Sequence, residues 1–314
     1  MIQLKISGRA GNQFFQYAFV NNYMLNNNLN DKIYNSFEQL KRHNSDSTTF
    51  KNELKNFNIK NIEEIEKIQL TAKQKIWDFT YKVLNKIVRK NAQLRKRKLN
   101  QKDYNFLIKT LQKGLNTNGL YYYIPGMKEF HKAKTENIIF FGSYEENRYY
   151  LENREQILNA YEPKEERKKE NEELYNVIEQ NNSICVTIRR GDFLNTKYIG
   201  IYYICKQEYF ERAIKKMNEL VEKPQYIVFS DDVEWCKENM EFPPNTKFES
   251  GQDSIWEKIR LMYSCKHFII SNSTFSWWAQ YLSRNKEKIV IAPKEWNKFE
   301  YTEPIYDNNW KIIG

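Results

Sequence analysis

The chain has 314 residues, 40% of them hydrophobic and 15% aromatic, with a formal net charge of +10 and a mean hydropathy of −0.82. That length allows two domains with sizeable cores, and the aromatic content excludes a disordered polymer. No run of about 20 apolar residues occurs, which excludes a bilayer-spanning helix, and the absence of a basic leader before an apolar stretch predicts a cytoplasmic protein without a signal peptide.

Residues 2–6 alternate apolar and polar side chains and predict a first strand. Ser7-Gly8-Arg9-Ala10-Gly11-Asn12-Gln13 then predicts a glycine loop, and the apolar run 14–25 a helix. Glycines let a backbone approach a ligand, and the N–H groups at a helix start favour negative charge, although turn geometry alone also calls for glycine. Residues 31–61 are polar and irregular, with Tyr34, Phe37, Leu40, Phe50, Leu54 and Phe57 as expected anchors.

Residues 71–102 hold eleven basic side chains and one acid, Asp78, so this segment alone carries the whole net charge of +10. Ile76, Phe79, Thr80, Val83, Leu84, Ile87 and Val88 recur at three- and four-residue steps, predicting a helix with an apolar face opposite a basic one. Two placements stay open. The helix packs on its domain with its lysines in water, or it lies on an anionic membrane surface or against a lipid-linked acceptor. Nucleic acid is not an expected partner, because no aromatic platform for single strands accompanies the charge.

A strand and loop follow at 137–144, and a helix is expected at Tyr149 and Tyr150. Pro163 and the charged run 164–173 set the predicted boundary: an α/β domain over 1–163 with the basic insertion near 71–102, and a second over 164–314. In the second, Ile184, Val186 and Ile188 alternate along a strand that ends in Arg189-Arg190-Gly191-Asp192. Ligands of open α/β sheets sit beyond the carboxyl ends of strands, and a guanidinium fork suits a diphosphate. The same residues also suit a structural ion-pair cluster.

Residues 226–230 form the next predicted strand, ending in Asp231 and Asp232 before a helix at 233–240. A helix ending near 266, a strand over 267–270, the turn Ser271-Asn272-Ser273-Thr274-Phe275-Ser276 and a helix from Trp277 to Leu282 come next. The hydroxyls of that turn can cap the helix or hold phosphate oxygens, and the local sequence favours capping. Residues 289–293 give a last strand, and the aromatic stretch 296–310 is expected to pack back across the molecule. Strand-helix alternation on both sides of the boundary predicts two Rossmann-like α/β domains facing a cleft. Cys185, Cys205, Cys236 and Cys265 include no close pair, so neither a zinc site nor a disulfide framework is expected. No Asp-x-Asp metal pair stands out, since Asp231 and Asp232 are adjacent.

Four stretches taken together resemble one family: residues 8–18, Ile188-Arg189-Arg190-Gly191-Asp192-Phe193, Phe229-Ser230-Asp231-Asp232, and 271–278. The chain resembles the bacterial α-1,2-fucosyltransferases of glycosyltransferase family 11. The resemblance implies a GT-B fold and an inverting, metal-independent transfer of L-fucose from GDP-fucose to a sugar hydroxyl. It implies that Arg189 binds the β-phosphate and that Asn12 reaches the diphosphate or the fucosyl group. Asp231 or Asp232 would meet guanine or ribose, and Ser273, Thr274 and Ser276 would complete the phosphate site. The expected catalytic set is Arg189, Asn12 and Asp192, and the donor site adds Gly8, Gly11, Gln13, Arg190 and Asn272. Asp192 and Glu145 are the candidate bases, and either could instead be an arginine partner.

One position departs from the family pattern. Thr187 stands where a histidine is usual, two residues before the first arginine. The expected acceptor is a galactose O2 in a surface polysaccharide precursor. A different nucleotide-sugar donor, and a non-catalytic nucleotide-sugar-binding protein at the membrane, are the alternatives.

Overall fold

Strand β1 (Ile2–Lys5) is buried along most of its length and sits at the centre of the first sheet. The structure is a computed structural model that describes residues 1–43, 50–195, 199–202, 205–298 and 305–314. β1 pairs in parallel with β2 (Ile33–Ser36) on one side and with β5 (Ile138–Phe141) on the other. Outside these lie β3 (Ile62–Ile65) and β4 (Leu120–Tyr122), giving the order β3-β2-β1-β5-β4 with every pair parallel. β2 lies in the stretch 31–61 expected to be irregular and β3 just after it: four residues each, and Tyr-Asn-Ser or Glu-Glu within them, leave too little apolar alternation to read as strands.

The second sheet holds β6 (Asn182–Ile188), β7 (Pro224–Ser230), β8 (Lys247–Phe248), β9 (His267–Ile269), β10 (Val290–Pro293) and β11 (Lys311–Ile313). Its order is β11-β10-β9-β6-β7-β8, again all parallel. Numbered from β6, this is 3-2-1-4-5-6 read from β8 to β11, the order of a dinucleotide-binding sheet. Ile184, Val186, Val228, Ile269 and Ile291 form its core with Phe210, Ala213 and Met217 of the helix Gln207–Leu220. All four cysteines are buried as free thiols.

The chain divides into two compact units, the first containing Met1–Lys55 and Ile59–Ala160, the second Asn56–Asn58, Tyr161–Lys298 and Tyr306–Gly314. Of the aromatic tail, residues 299–304 lie outside the described residues. Of the rest, Ile305 groups with the first unit and residues 296–298 and 306–310 with the second, where Tyr306 meets both Trp296 and Trp310 edge-on and β11 extends the sheet beside β10.

Two helices begin earlier than the sequence predicts. The first spans Ala10–Asn26, so Gly11, Asn12 and Gln13 form its first turn, and the other spans Thr274–Leu282. Both starts are rich in Gly, Asn, Ser and Thr, which read as loop residues. The 3-10 turn Asn147–Tyr150 replaces the helix expected there.

The helix expected in the basic segment spans Ala72–Leu94, and a second, Gln101–Thr117, starts at the segment's end. The first opens on a capping box between Thr71 and Gln74. It ends where Lys96 turns left-handed, at φ +51°, and the Arg97 N–H reaches back to the Ala92 carbonyl at 3.1 Å. Its packed face also differs from the predicted one. Trp77, Tyr81, Leu84 and Val88 pack with Leu107, Leu111 and Leu115 of the second helix, while Ile76, Phe79, Val83 and Ile87 point into solvent. No helix among the described residues is long and apolar enough to cross a membrane.

Candidate active site

The chain order of the second sheet reverses between β6 and β9, the place where open α/β sheets bind ligands beyond the carboxyl ends of their strands. Arg189 and Arg190 leave β6 at that point. Asp231 and Asp232 leave β7 beside them, and Ser271 to Thr274 leave β9 on the other side. The three loops therefore meet at adjacent strand ends.

Arg189 is held by two carboxylates. Its Nη2 lies 2.5 Å from Asp192 Oδ1 and its Nη1 2.6 Å from Asp231 Oδ2. The side chain keeps 19% exposure. Arg190 is turned away and 9% exposed, with Nε 3.1 Å from Asp232 Oδ2 and its guanidinium stacked on Trp235. Its backbone N–H donates to Asp231 Oδ1 at 2.9 Å. Arg190 thus anchors the loop while Arg189 faces outward from it. Gly191 is required by space, since a Cβ there would lie 2.2 Å from Asp231 Oδ2. Two cations among three carboxylates leave one excess negative charge, so an anion must bind here through directed N–H donors rather than through bulk charge.

A helix start lies at the end of the neighbouring strand β9. Ser273 is the N-cap of the helix Thr274–Leu282, yet its hydroxyl makes no capping hydrogen bond, contrary to the capping expected from the sequence. An uncapped start offers its first N–H groups to an anion. Ser276 is buried and its hydroxyl lies 3.2 Å from that of Ser271. Asn272 is also buried, donating to the Tyr202 and Trp296 carbonyls at 2.9 Å each and accepting from Cys205 Sγ, so it fixes the loop's path. Thr187 is 2% exposed, and its hydroxyl accepts the Ser271 N–H at 3.0 Å. The residue at the family's histidine position ties the β6 and β9 loops together from within the sheet.

The first sheet has its own reversal, between β1 and β5. Gly8 follows β1 with φ +74°, and a Cβ on it would come 2.9 Å from Asn12 Cβ, so the asparagine occupies the space a side chain would need. From there Asn12 Nδ2 donates to Glu145 Oε1 at 2.9 Å, joining the loops after β1 and β5. Gln13 is fully buried, donating to the Gly8 and Lys51 carbonyls and accepting the Glu53 N–H. Gly11 is helical and buried.

Burial pushes the Glu145 carboxyl up to about 7, against the lowering effect of the Asn12 hydrogen bond. Its neighbour Glu146 is raised for the same reason but is paired with Arg148 at 2.6 Å. The loop that carries both is held by Tyr144, which the sequence did not single out. Tyr144 is left-handed, at φ +55°, fully buried, stacked on Phe19 at 3.9 Å, and donates to the Tyr121 carbonyl at 2.5 Å. An aromatic residue in that conformation is strained, and the surrounding rings hold it there. Among the described residues no group of three or more His, Cys, Asp or Glu side chains forms a metal site. A surface cavity lined by Met1, Gln69, Leu70, Thr71, Glu136 and Asn137 opens at the opposite, amino ends of β1 and β5.

The chain is 33% identical over 177 residues to an α-1,2-colitosyltransferase of Escherichia coli, an alignment covering 54% of this chain and 59% of that protein. It is 32% identical over 104 residues to human galactoside α-(1,2)-fucosyltransferase 1, covering 31% and 28%. The chain therefore spans little more than half the length of the first of these relatives and less of the other. Its backbone superposes on the NodZ α-1,6-fucosyltransferase co-crystallized with GDP at a TM-score of 0.48 and 12% identity, over 89% of this chain and 91% of that one. Nothing rests on a likeness that low. The profile of Glycosyl transferase family 11, in contrast, matches residues 1–314, from the glycine turn after β1 through the arginine and serine loops of the second sheet. The chain belongs to glycosyl transferase family 11.

Proposed function

We propose that the chain transfers L-fucose from GDP-fucose to a galactoside hydroxyl, the galactose O2, with inversion and without a divalent ion. The observation that carries this reading is Arg189, held by Asp192 and Asp231 at the reversal point of a dinucleotide-type sheet, beside the strand that leads into a helix whose N-cap side chain makes no capping bond. The acceptor oxygen attacks the anomeric carbon as the bond to the β-phosphate oxygen breaks, and a single displacement inverts that carbon. Negative charge grows on the leaving diphosphate. Arg189 and the N–H groups of the helix start oppose it, and losing one such donor costs about 3 kcal/mol in the barrier. The acceptor proton needs a base, and Glu145, whose carboxyl burial raises to about 7, is the candidate for that role near neutral pH. Asp192 then serves as a positioning residue for Arg189. Asp231 and Asp232 remain the candidates to meet ribose or guanine.

A second reading changes only the donor sugar, and the colitosyltransferase relative favours it. Thr187 does not decide between the two, because its hydroxyl is engaged inside the sheet. Nucleoside diphosphate release measured over a panel of nucleotide sugars with a lactose-type acceptor separates them. Turnover with GDP-fucose that persists in chelator and falls about 100-fold in Arg189→Ala supports the first reading. Preference for GDP-colitose selects the second. Turnover only with a nucleotide other than GDP, or full loss in chelator, refutes the proposal.

A further inference from the structure

We propose that the helix Ala72–Leu94 docks the protein on an anionic lipid bilayer through an apolar stripe that the protein's own core leaves unused. The helix has two apolar faces. One, carrying Trp77, Tyr81, Leu84, Val88 and Ala92, is spent on packing within the first unit. The other carries Ile76, Phe79, Ile87 and Leu94 at 67%, 69%, 56% and 75% exposure, with Val83 between them. At 1.5 Å per residue the stripe runs about 27 Å along the helix, roughly opposite the packed face. Single exposed apolar residues need no explanation, but a row of four from Ile76 to Ile87, resumed at Leu94 beyond Lys90, marks a contact surface.

Charge identifies the partner. The helix holds six basic side chains and one acid, half of the chain's net charge of +10. The helical period sets Lys75 and Lys86 along one border of the stripe and Lys90 within it, between Ile87 and Leu94, and none of them forms an ion pair among the described residues. Lys82 differs, because Asp78 binds it at 2.6 Å. Apolar side chains at the level of acyl chains, with lysines reaching phosphate headgroups, are what an interfacial helix presents to an anionic membrane. A second copy of the chain fits poorly, since it would bring the same cationic helix against this one, and protein interfaces exclude charge from their centres.

Flotation of the full chain with two kinds of vesicle tests this: phosphatidylcholine alone, and phosphatidylcholine with about one-third phosphatidylglycerol. The protein should float with the anionic vesicles only and be released by high salt. Removing three lysines as Lys75→Gln, Lys86→Gln and Lys90→Gln should weaken vesicle binding about 100-fold. Phe79→Ser with Ile87→Ser should weaken it at least about tenfold, with circular dichroism unchanged because both side chains are solvent-facing. Ile76→Ser with Leu94→Ser reads the same stripe in an independent variant. Turnover on a soluble acceptor should stay at the parent level in all three, which keeps this test separate from that of the reaction. Equal flotation with both vesicles, no flotation, or variants that float like the parent would overturn the proposal. So would a self-association that Phe79→Ser abolishes while vesicle binding persists.

Discussion

Glu145 is the residue whose surroundings make the sharpest demand on experiment. Folding raises its carboxyl from 4.5 to about 7, chiefly by desolvation. The folded chain therefore holds this proton more tightly than the unfolded one. Its contribution to stability falls as pH rises from about 4.5 toward about 7 and is constant above that. Activity has the opposite slope, because a base must be ionised: kcat/KM in the free enzyme should climb through a midpoint near 7. In Glu145→Gln that limb should vanish and the rate drop by a factor of about 10² to 10⁴. Asn12→Ala removes the hydrogen bond that lowers this pKa, so the limb should move to higher pH. A flat profile in the parent enzyme would exclude Glu145 as the base. Thr187 poses a structural question at the same scale. Thr187→Val leaves the buried Ser271 N–H without its 3.0 Å acceptor and should cost about 1–3 kcal/mol in urea unfolding.

At the scale of single elements, the turn after β6 has no spare volume. Gly191→Ala would push a methyl group to 2.2 Å from Asp231 Oδ2, so either the turn or the carboxylate must move. Arg189 loses one of its two clamps in either case. Donor KM should rise about tenfold or more while the far sheet stays intact, and a KM equal to that of the parent would show that Asp231 does not position Arg189. This turn was legible in the sequence because β6 is seven residues long, buried on both faces, and closed by charged residues and glycine. β7 was legible for the same reason, and the four-residue β10 because it is apolar and buried throughout. β3, β4 and β8 were not, being two to four residues long with little apolar alternation. They exist because neighbouring strands supply the pairing. The helix Ala72–Leu94 fails differently: with apolar stripes on both sides, its periodicity reports a helix but not which stripe the core takes.

On the scale of the whole molecule, one topological rule acts twice. Each unit builds a parallel sheet whose first strand is central, and in each the loops bearing the candidate residues leave that strand and the one across the reversal. Asn12 and Glu145 meet by this rule in the first unit, although 133 residues separate them in sequence. Arg189 and Ser273 are brought to adjacent strand ends by the same rule in the second. No periodicity in the sequence could announce either meeting, because strand order is set by crossovers whose helices look alike from composition alone. If the nucleotide binds the second reversal point, adding GDP should slow amide exchange in 189–195, 230–233 and 271–276, where N–H groups would close on the diphosphate. At 100 times its Kd, GDP should also raise stability by about 2.7 kcal/mol. Exchange in the helix Ala72–Leu94 should not change, since its only role in this scheme is at a lipid surface. Protection confined to the loops of the first unit would move the donor site to Asn12 and Glu145, and Arg189 would then be left as one member of a structural ion-pair cluster.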